Sequence, residues 1–284
     1  MTKRIAGSRA TKEFYDREGW QERDGKLVDT ELFGVKEDGP IRIELHRLHA
    51  SRVRSALDKA GNGLRLLECG CGGSPATTLL DLCATYTGID FSSTGLQVAR
   101  GKLDATGTPY VLANADVCNL PFHDNVFDAV YSAHTIYHID NPEAQKAALD
   151  AMLRVTRPGG VVVLIAANPR PLLFPVRLTR RLLADAPIVG YLLNRLRPKP
   201  LLPYQPMSLG WMRRAMSRWG PVEIVSHGID STAFSQRVTE YKGIGRLLWR
   251  LIRWLEVNFP RMSAYLGNYV QVTVAKPDLD RVKP

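Results

Sequence analysis

Three acids punctuate the first half of this chain, each closing an apolar run: Glu68, Asp90 and Asp116. A carboxylate offers two acceptor oxygens, so such a set suits a small ligand rich in hydroxyl and amino donors. Glu68 opens the run Glu68-Cys69-Gly70-Cys71-Gly72-Gly73-Ser74, in which Gly70 and Gly72 allow a tight turn and close backbone approach to a ligand. Asp90 follows 22 residues after Glu68. Further on, Ser132, His134, Tyr137 and His138 cluster in seven residues, and His134, Tyr137 and His138 are the side chains suited to move a proton.

These residues need elements to position them. Apolar runs predict strands at Leu64–Glu68, Tyr86–Asp90, Tyr110–Asn114, Phe127–Ala133 and Gly160–Ala166. Helical patterns fall between them, at Pro75–Cys83 with Ser74 as N-cap, Thr94–Leu103 and Pro142–Val155. Near-continuous apolar strands alternating with helices predict a parallel sheet covered on both faces, with the strand C-terminal ends, and so the acids, along one rim. An earlier helix is expected from Ile41 to Leu57, a later one over Ser208–Trp219, and closing strands at Val222–Ser226 and Tyr269–Ala275. Between those strands, Tyr241–Val257 reads as a basic amphipathic helix with Leu247, Leu248, Leu251, Ile252 and Leu255 on or near one face.

In order, the chain carries LLECGCGGS, TGID, NADVCNLPF, FDAVYSAHTIYHI and LRVTRPGGVVVL. With these elements it resembles the class I S-adenosylmethionine-dependent methyltransferases, of the small-molecule and lipid type that includes the ubiquinone-biosynthesis enzymes. The resemblance spans residues 64 to about 166. It implies a Rossmann-like, doubly wound α/β sheet of seven strands, an N-terminal helical cap, and helical insertions after the fifth and sixth strands. It also implies S-adenosyl-L-methionine as cofactor. Glu68, Gly70, Cys71 and Gly72 would then hold the methionine end, Asp90 the ribose hydroxyls, Phe91 the adenine face, and Asp116 with Val117 the adenine edge. Ser132 and His134 would line the methyl and methionine end, and His134, Tyr137 and His138 are the candidates for catalysis. The third glycine of the family pattern is Ser74 here. A dinucleotide fingerprint would need glycine where Pro75 stands, a phosphate-binding Gly-Lys-Ser/Thr is absent, and no metal site is expected, Cys69-x-Cys71 lacking the usual zinc spacing.

On this reading, residues 1–62 form the cap, 63–168 the cofactor-binding core, 169–207 a basic acceptor-side insertion, and 208–284 the rest of the core with a helical insertion near 237–262. The net charge of +10 is concentrated: Arg170 to Arg218 holds ten basic residues against Asp185, and Arg237 to Arg261 six against two acids. Such segments fit an anionic small-molecule or lipid- or glycan-linked acceptor, or peripheral contact with a membrane. Tyr15, Trp20, Tyr191, Tyr204 and Trp211 are candidate walls for that acceptor. An RNA methyltransferase is the alternative, disfavoured because no RNA-binding motif accompanies the charge; a non-catalytic cofactor-binding module is the third reading. With no signal core and no apolar run of roughly 20 residues, and with four cysteines, the expected location is cytoplasmic, with peripheral contact at the inner membrane surface.

Overall fold

The computed structural model describes residues 9–23, 26–28, 40–171, 202–229, 235 and 243–278. A seven-stranded sheet forms the centre: β3 (Leu64–Cys69), β4 (Cys83–Asp90), β5 (Tyr110–Asn114), β6 (Phe127–Ala133), β7 (Thr156–Ala167), β8 (Val222–Gly228) and β9 (Tyr269–Ala275), in the order β5-β4-β3-β6-β7-β9-β8. The first five run parallel, and β9 pairs antiparallel with both β7 and β8. The order reverses between β3 and β6, so the crevice above their C-terminal ends is the place for a ligand. A small hairpin, β1 (Glu22–Arg23) and β2 (Lys26–Leu27), lies outside this sheet.

Strand alternation explains the two cores. In β7, Val161, Val163 and Ile165 join Val53 and Leu57 of helix α2 (Pro40–Leu57). Val162, Leu164 and Ala166 point the other way, towards Leu149 and Met152 of α4 (Pro142–Val155) and Met212 and Met216 of α5 (Leu209–Met216). A strand buried on both faces must be apolar at every position, which is why its sequence shows no alternation. Helix starts follow ordinary capping: Asn141 accepts from Ala144 N at 2.7 Å ahead of Pro142, and Ser208 accepts from Trp211 N at 3.2 Å.

Three expectations are corrected. The segment expected as a helix over Pro75–Cys83 is a 3₁₀ run, Thr77–Leu82, and β4 begins at Cys83. Few residues separate the glycine turn from β4, and a 3₁₀ run covers more length per residue than an α-helix. Ser74 is not its N-cap; Ala76 N is taken by the Glu68 carboxylate at 2.9 Å, while Ser74 Oγ accepts from Lys102 at 3.3 Å. The N-terminal cap is only partly helical, with α1 (Arg9–Phe14), a π-turn (Tyr15–Gly19) and the β1–β2 hairpin. Helix α6 (Ile244–Asn258) buries Gly245, Trp249, Ile252 and Glu256 and leaves Leu247, Leu248 and Leu251 of the expected apolar face exposed. Most of the insertion expected at 169–207, including Tyr191, lies outside the described residues, as do residues 241–242. No helix among the described residues is long and apolar enough to cross a membrane.

Candidate functional site

The acids do meet at one rim. One cavity there is lined by Glu68, Gly70, Cys71, Gly72 and Ser74 from the β3 end, Asp90 and Phe91 from β4, Asp116 and Val117 after β5, and His134, Thr135 and His138 after β6. Thr11, Tyr15 and Trp20 close it from the N-terminal segment. Of the ten residues assigned to the cofactor from sequence, only Ser132 is outside this lining. Its hydroxyl donates to Cys69 O at 2.8 Å, tying β6 to β3 beneath the turn.

The turn is held by its own acids. Gly70 and Gly72 have φ of +78° and +51°, a region that favours glycine. Asp90 Oδ2 accepts from Gly72 N at 2.9 Å and Oδ1 from Ser92 N at 2.8 Å. Each oxygen takes a second donor without losing the first. Burial pushes Asp90 up to about 6, against the lowering effect of those N–H groups. Glu68 Oε2 accepts from Ala76 N and, at 2.5 Å, from the Tyr86 hydroxyl; burial raises it to about 7. Asp116 Oδ1 accepts from Cys118 N at 2.8 Å, which turns the chain after β5. Cys69 and Cys71 are free and buried, and burial strongly favours their protonated form.

Glycine has a second task here. A Cβ on Gly72, Gly73 or Gly95 would lie 2.3, 2.8 or 2.7 Å from an atom of the Trp20 ring system. The indole therefore occupies the space those three residues leave, and Tyr15 stacks on it with centroids 5.1 Å apart. Trp20 and Tyr15 thus sit on the glycine-turn side of the cavity. Sequence reading missed Thr135, whose side chain fills the space over Gly70, and Thr11, whose hydroxyl donates to His138 O at 3.1 Å. Neither belongs to a readable motif. Ser92 was legible in principle: it caps α3 (Ser93–Asp104) by accepting from Gly95 N.

The proton-active residues form a second group beside the acids. His134 sits at φ +58°, a strained value for a non-glycine residue, and its Nδ1 is 2.8 Å from the Tyr137 hydroxyl. Burial drives His134 down to about 4. Tyr137 is behind the cavity lining and packs on Tyr204, centroids 5.4 Å apart. Trp211 lies against the core beneath the sheet. His138 Nδ1 is 2.8 Å from Pro203 O. A carbonyl only accepts, so Nδ1 carries the proton and Nε2 keeps its lone pair. Burial lowers His138 below the usual histidine value, partly offset by that bond. The imidazole is therefore neutral near pH 7 and fixed in one tautomer.

Strand order, the single antiparallel β9 and acidic strand ends at a glycine turn define a Rossmann-like fold of the class I methyltransferase type. Residues 67–164 match the family model described as a methyltransferase domain. A fatty-acid O-methyltransferase from Mycolicibacterium smegmatis is 34% identical over 169 residues, 55% of this chain and 58% of the relative. A demethylmenaquinone methyltransferase from Staphylococcus epidermidis is 33% identical over 132 residues, 45% and 53% of the two chains. The chain thus spans little more than half the length of these relatives. Among solved structures, the N-methyltransferase NodS from Bradyrhizobium japonicum, in complex with S-adenosyl-L-homocysteine, aligns with a TM-score of 0.57 at 15% identity, covering 94% of this chain and 99% of that one. The [4+2]-cyclase SpnF aligns with a TM-score of 0.52 at 19% identity over 97% and 99%. At such identities the likeness is one of fold, and a fold of this kind carries more than one chemistry.

Proposed function

We propose that this protein transfers a methyl group from S-adenosyl-L-methionine to a small-molecule or lipid-linked acceptor through an atom that loses a proton. The observation that carries this is the convergence of Asp90, Asp116 and the Glu68 turn in the same cavity as a neutral, tautomer-fixed His138. The residues fit the donor. Asp90 supplies one remaining acceptor site on each oxygen for the two ribose hydroxyls, Phe91 and Val117 supply apolar surface for adenine, and the Gly70–Gly72 backbone lets the methionine end come close. When bound, the cofactor would supply a methyl carbon activated by its sulfonium, with the sulfur as the leaving atom that keeps the electron pair. The chain aligns the acceptor and shields the site with Trp20 and Tyr15. His138 Nε2 receives the acceptor's proton. A hydroxyl acceptor needs this step; a carboxylate, already ionised at neutral pH, does not. The similarity to a fatty-acid O-methyltransferase and a demethylmenaquinone methyltransferase supports a lipid among the acceptor classes.

Isothermal calorimetry with S-adenosyl-L-homocysteine should give a measurable dissociation constant, and methyl-labelled cofactor should deliver label to the lipid fraction of a cell extract. Absence of binding would overturn the cofactor assignment; label only in RNA would overturn the acceptor class. With the acceptor in hand, His138→Gln is expected to lower kcat by roughly 10²–10³-fold while leaving cofactor affinity within a few-fold. Because His138 works as the neutral base and sits below the usual histidine value, wild-type kcat should fall on acidification below about pH 6.5, and the variant should lose that limb. A kcat within about threefold of wild type would remove His138 from the chemistry.

A further inference from the structure

Exposed apolar surface is not spread evenly over this molecule. Of the twelve large hydrophobics that stand exposed among the described residues, nine lie on α6, α7 (Pro260–Leu266) and Phe259 between them. They are 42 to 84% exposed. Helical spacing gives α6 two apolar faces. The inner one, Trp249 and Ile252 with Glu256, is buried against the protein; the outer one carries Ile244, Leu247, Leu248, Leu251 and Trp254. Met262 and Tyr265 of α7 are exposed as well, and the Trp254 and Phe259 rings meet edge to face at 5.6 Å. A contiguous patch of this kind marks a contact surface.

Its charge selects the occupant. Arg246 and Arg250 fall together on one edge of the outer face, and Arg261, 81% exposed, stands 3.7 Å from Glu223. The single acid between Ile244 and Leu266 is Glu256, fully buried and bonded to Arg52 and Arg253. A second copy meeting this face by two-fold symmetry would bring the Arg246 and Arg250 edge of each copy onto a segment, Ile244 to Leu266, that holds no exposed acid. An anionic lipid surface accepts both parts: leucines and tryptophan enter the acyl boundary, and arginines reach the headgroup phosphates.

The patch is joined to the site. Asn168, just past β7, donates to Ala264 O at 3.1 Å and Gly267 O at 2.9 Å, tying the end of α7 to the same rim that carries the cavity. The chain then enters β9 at Tyr269, whose ring meets His134 edge on with centroids 5.0 Å apart. We infer that the outer face of α6–α7 docks this protein on an anionic bilayer, with the cavity rim alongside the membrane so that a lipid acceptor enters from it. The route of the acceptor rests on the reading above; the docking does not.

The test is co-sedimentation of the full chain with vesicles of phosphatidylcholine containing phosphatidylglycerol, and with phosphatidylcholine alone. Binding to the anionic vesicles is expected to exceed binding to the neutral ones by about tenfold and to weaken in salt. Leu247→Glu with Leu251→Glu should cut it by on the order of tenfold or more, with S-adenosyl-L-homocysteine affinity unchanged as the check on folding. Wild type and variant pelleting equally, or wild type staying in solution, would overturn the inference. So would a dimer in sedimentation velocity that the same pair of substitutions dissolves while vesicles recover nothing. Transfer to a detergent-dispersed acceptor separates the two readings: its failure with vesicle binding intact would count against the acceptor assignment alone.

Discussion

Asp90→Ala is expected to weaken S-adenosyl-L-homocysteine binding by roughly a hundredfold or more, two bonds to a charged acceptor being lost at about 1.5–3 kcal/mol each. The same change strands Gly72 N and Ser92 N, which Asp90 now holds at 2.9 and 2.8 Å, so the turn itself loosens. Asp90→Asn retains one acceptor oxygen and should fall between. The pH dependence carries a second signature. Hydroxyl donors favour the ionised carboxylate, and burial has raised Asp90 to about 6, so affinity should rise from pH 5 towards a plateau above pH 7. Asp90→Asn should flatten that rise. Calorimetry across this range checks both statements, and an unchanged dissociation constant in the alanine variant would remove Asp90 from the cofactor site.

Glu256→Ala should cost roughly 3–5 kcal/mol of stability, or about 10 °C in Tm. Glu256 is fully buried, accepts from Arg52 at 3.0 Å and Arg253 at 2.9 Å, and also accepts from Ile229 N. Arg52 in turn donates to His227 O at 2.7 Å. One carboxylate thereby ties α2, α6 and the end of β8. Removing it leaves two largely buried guanidinium groups without their anion, which costs more than the pair contributes in place. Glu256→Gln keeps an acceptor for Ile229 N and should be milder. Urea denaturation measures both, and a loss under about 1 kcal/mol for alanine would show that the arginines find other partners.

What the sequence revealed follows the range of the forces involved. The parallel strands were readable because burial on two faces leaves continuous apolar runs, and the cavity acids because they stand where those runs stop. The α4 start was readable at Pro142, a residue suited to the first helical position. The 3₁₀ run after the glycine turn was not, because its geometry depends on the distance back to β4 and on Glu68 taking Ala76 N. The inward face of α6 was hidden for a similar reason. Of the five apolar residues named on or near one side only Ile252 is buried, in the company of Gly245, Trp249 and Glu256, which carry no apolar periodicity to read. His138 was visible as a residue type, but its tautomer depends on Pro203, 65 residues away.

Trp20 standing over Gly72, Gly73 and Gly95 makes mutational tolerance at these positions a shared property. Gly72 is bound to its backbone conformation in any case. Gly73 and Gly95 have no such restraint; the indole is the nearest obstacle there, with Val98 Cβ and Gly72 C next at 3.1 Å, so a side chain at either needs the indole to give way first. Selection from a library randomised at 20, 73 and 95 together should therefore recover side chains at the two glycine positions mainly in clones where the tryptophan has shrunk, a non-additive pattern that single substitutions would miss.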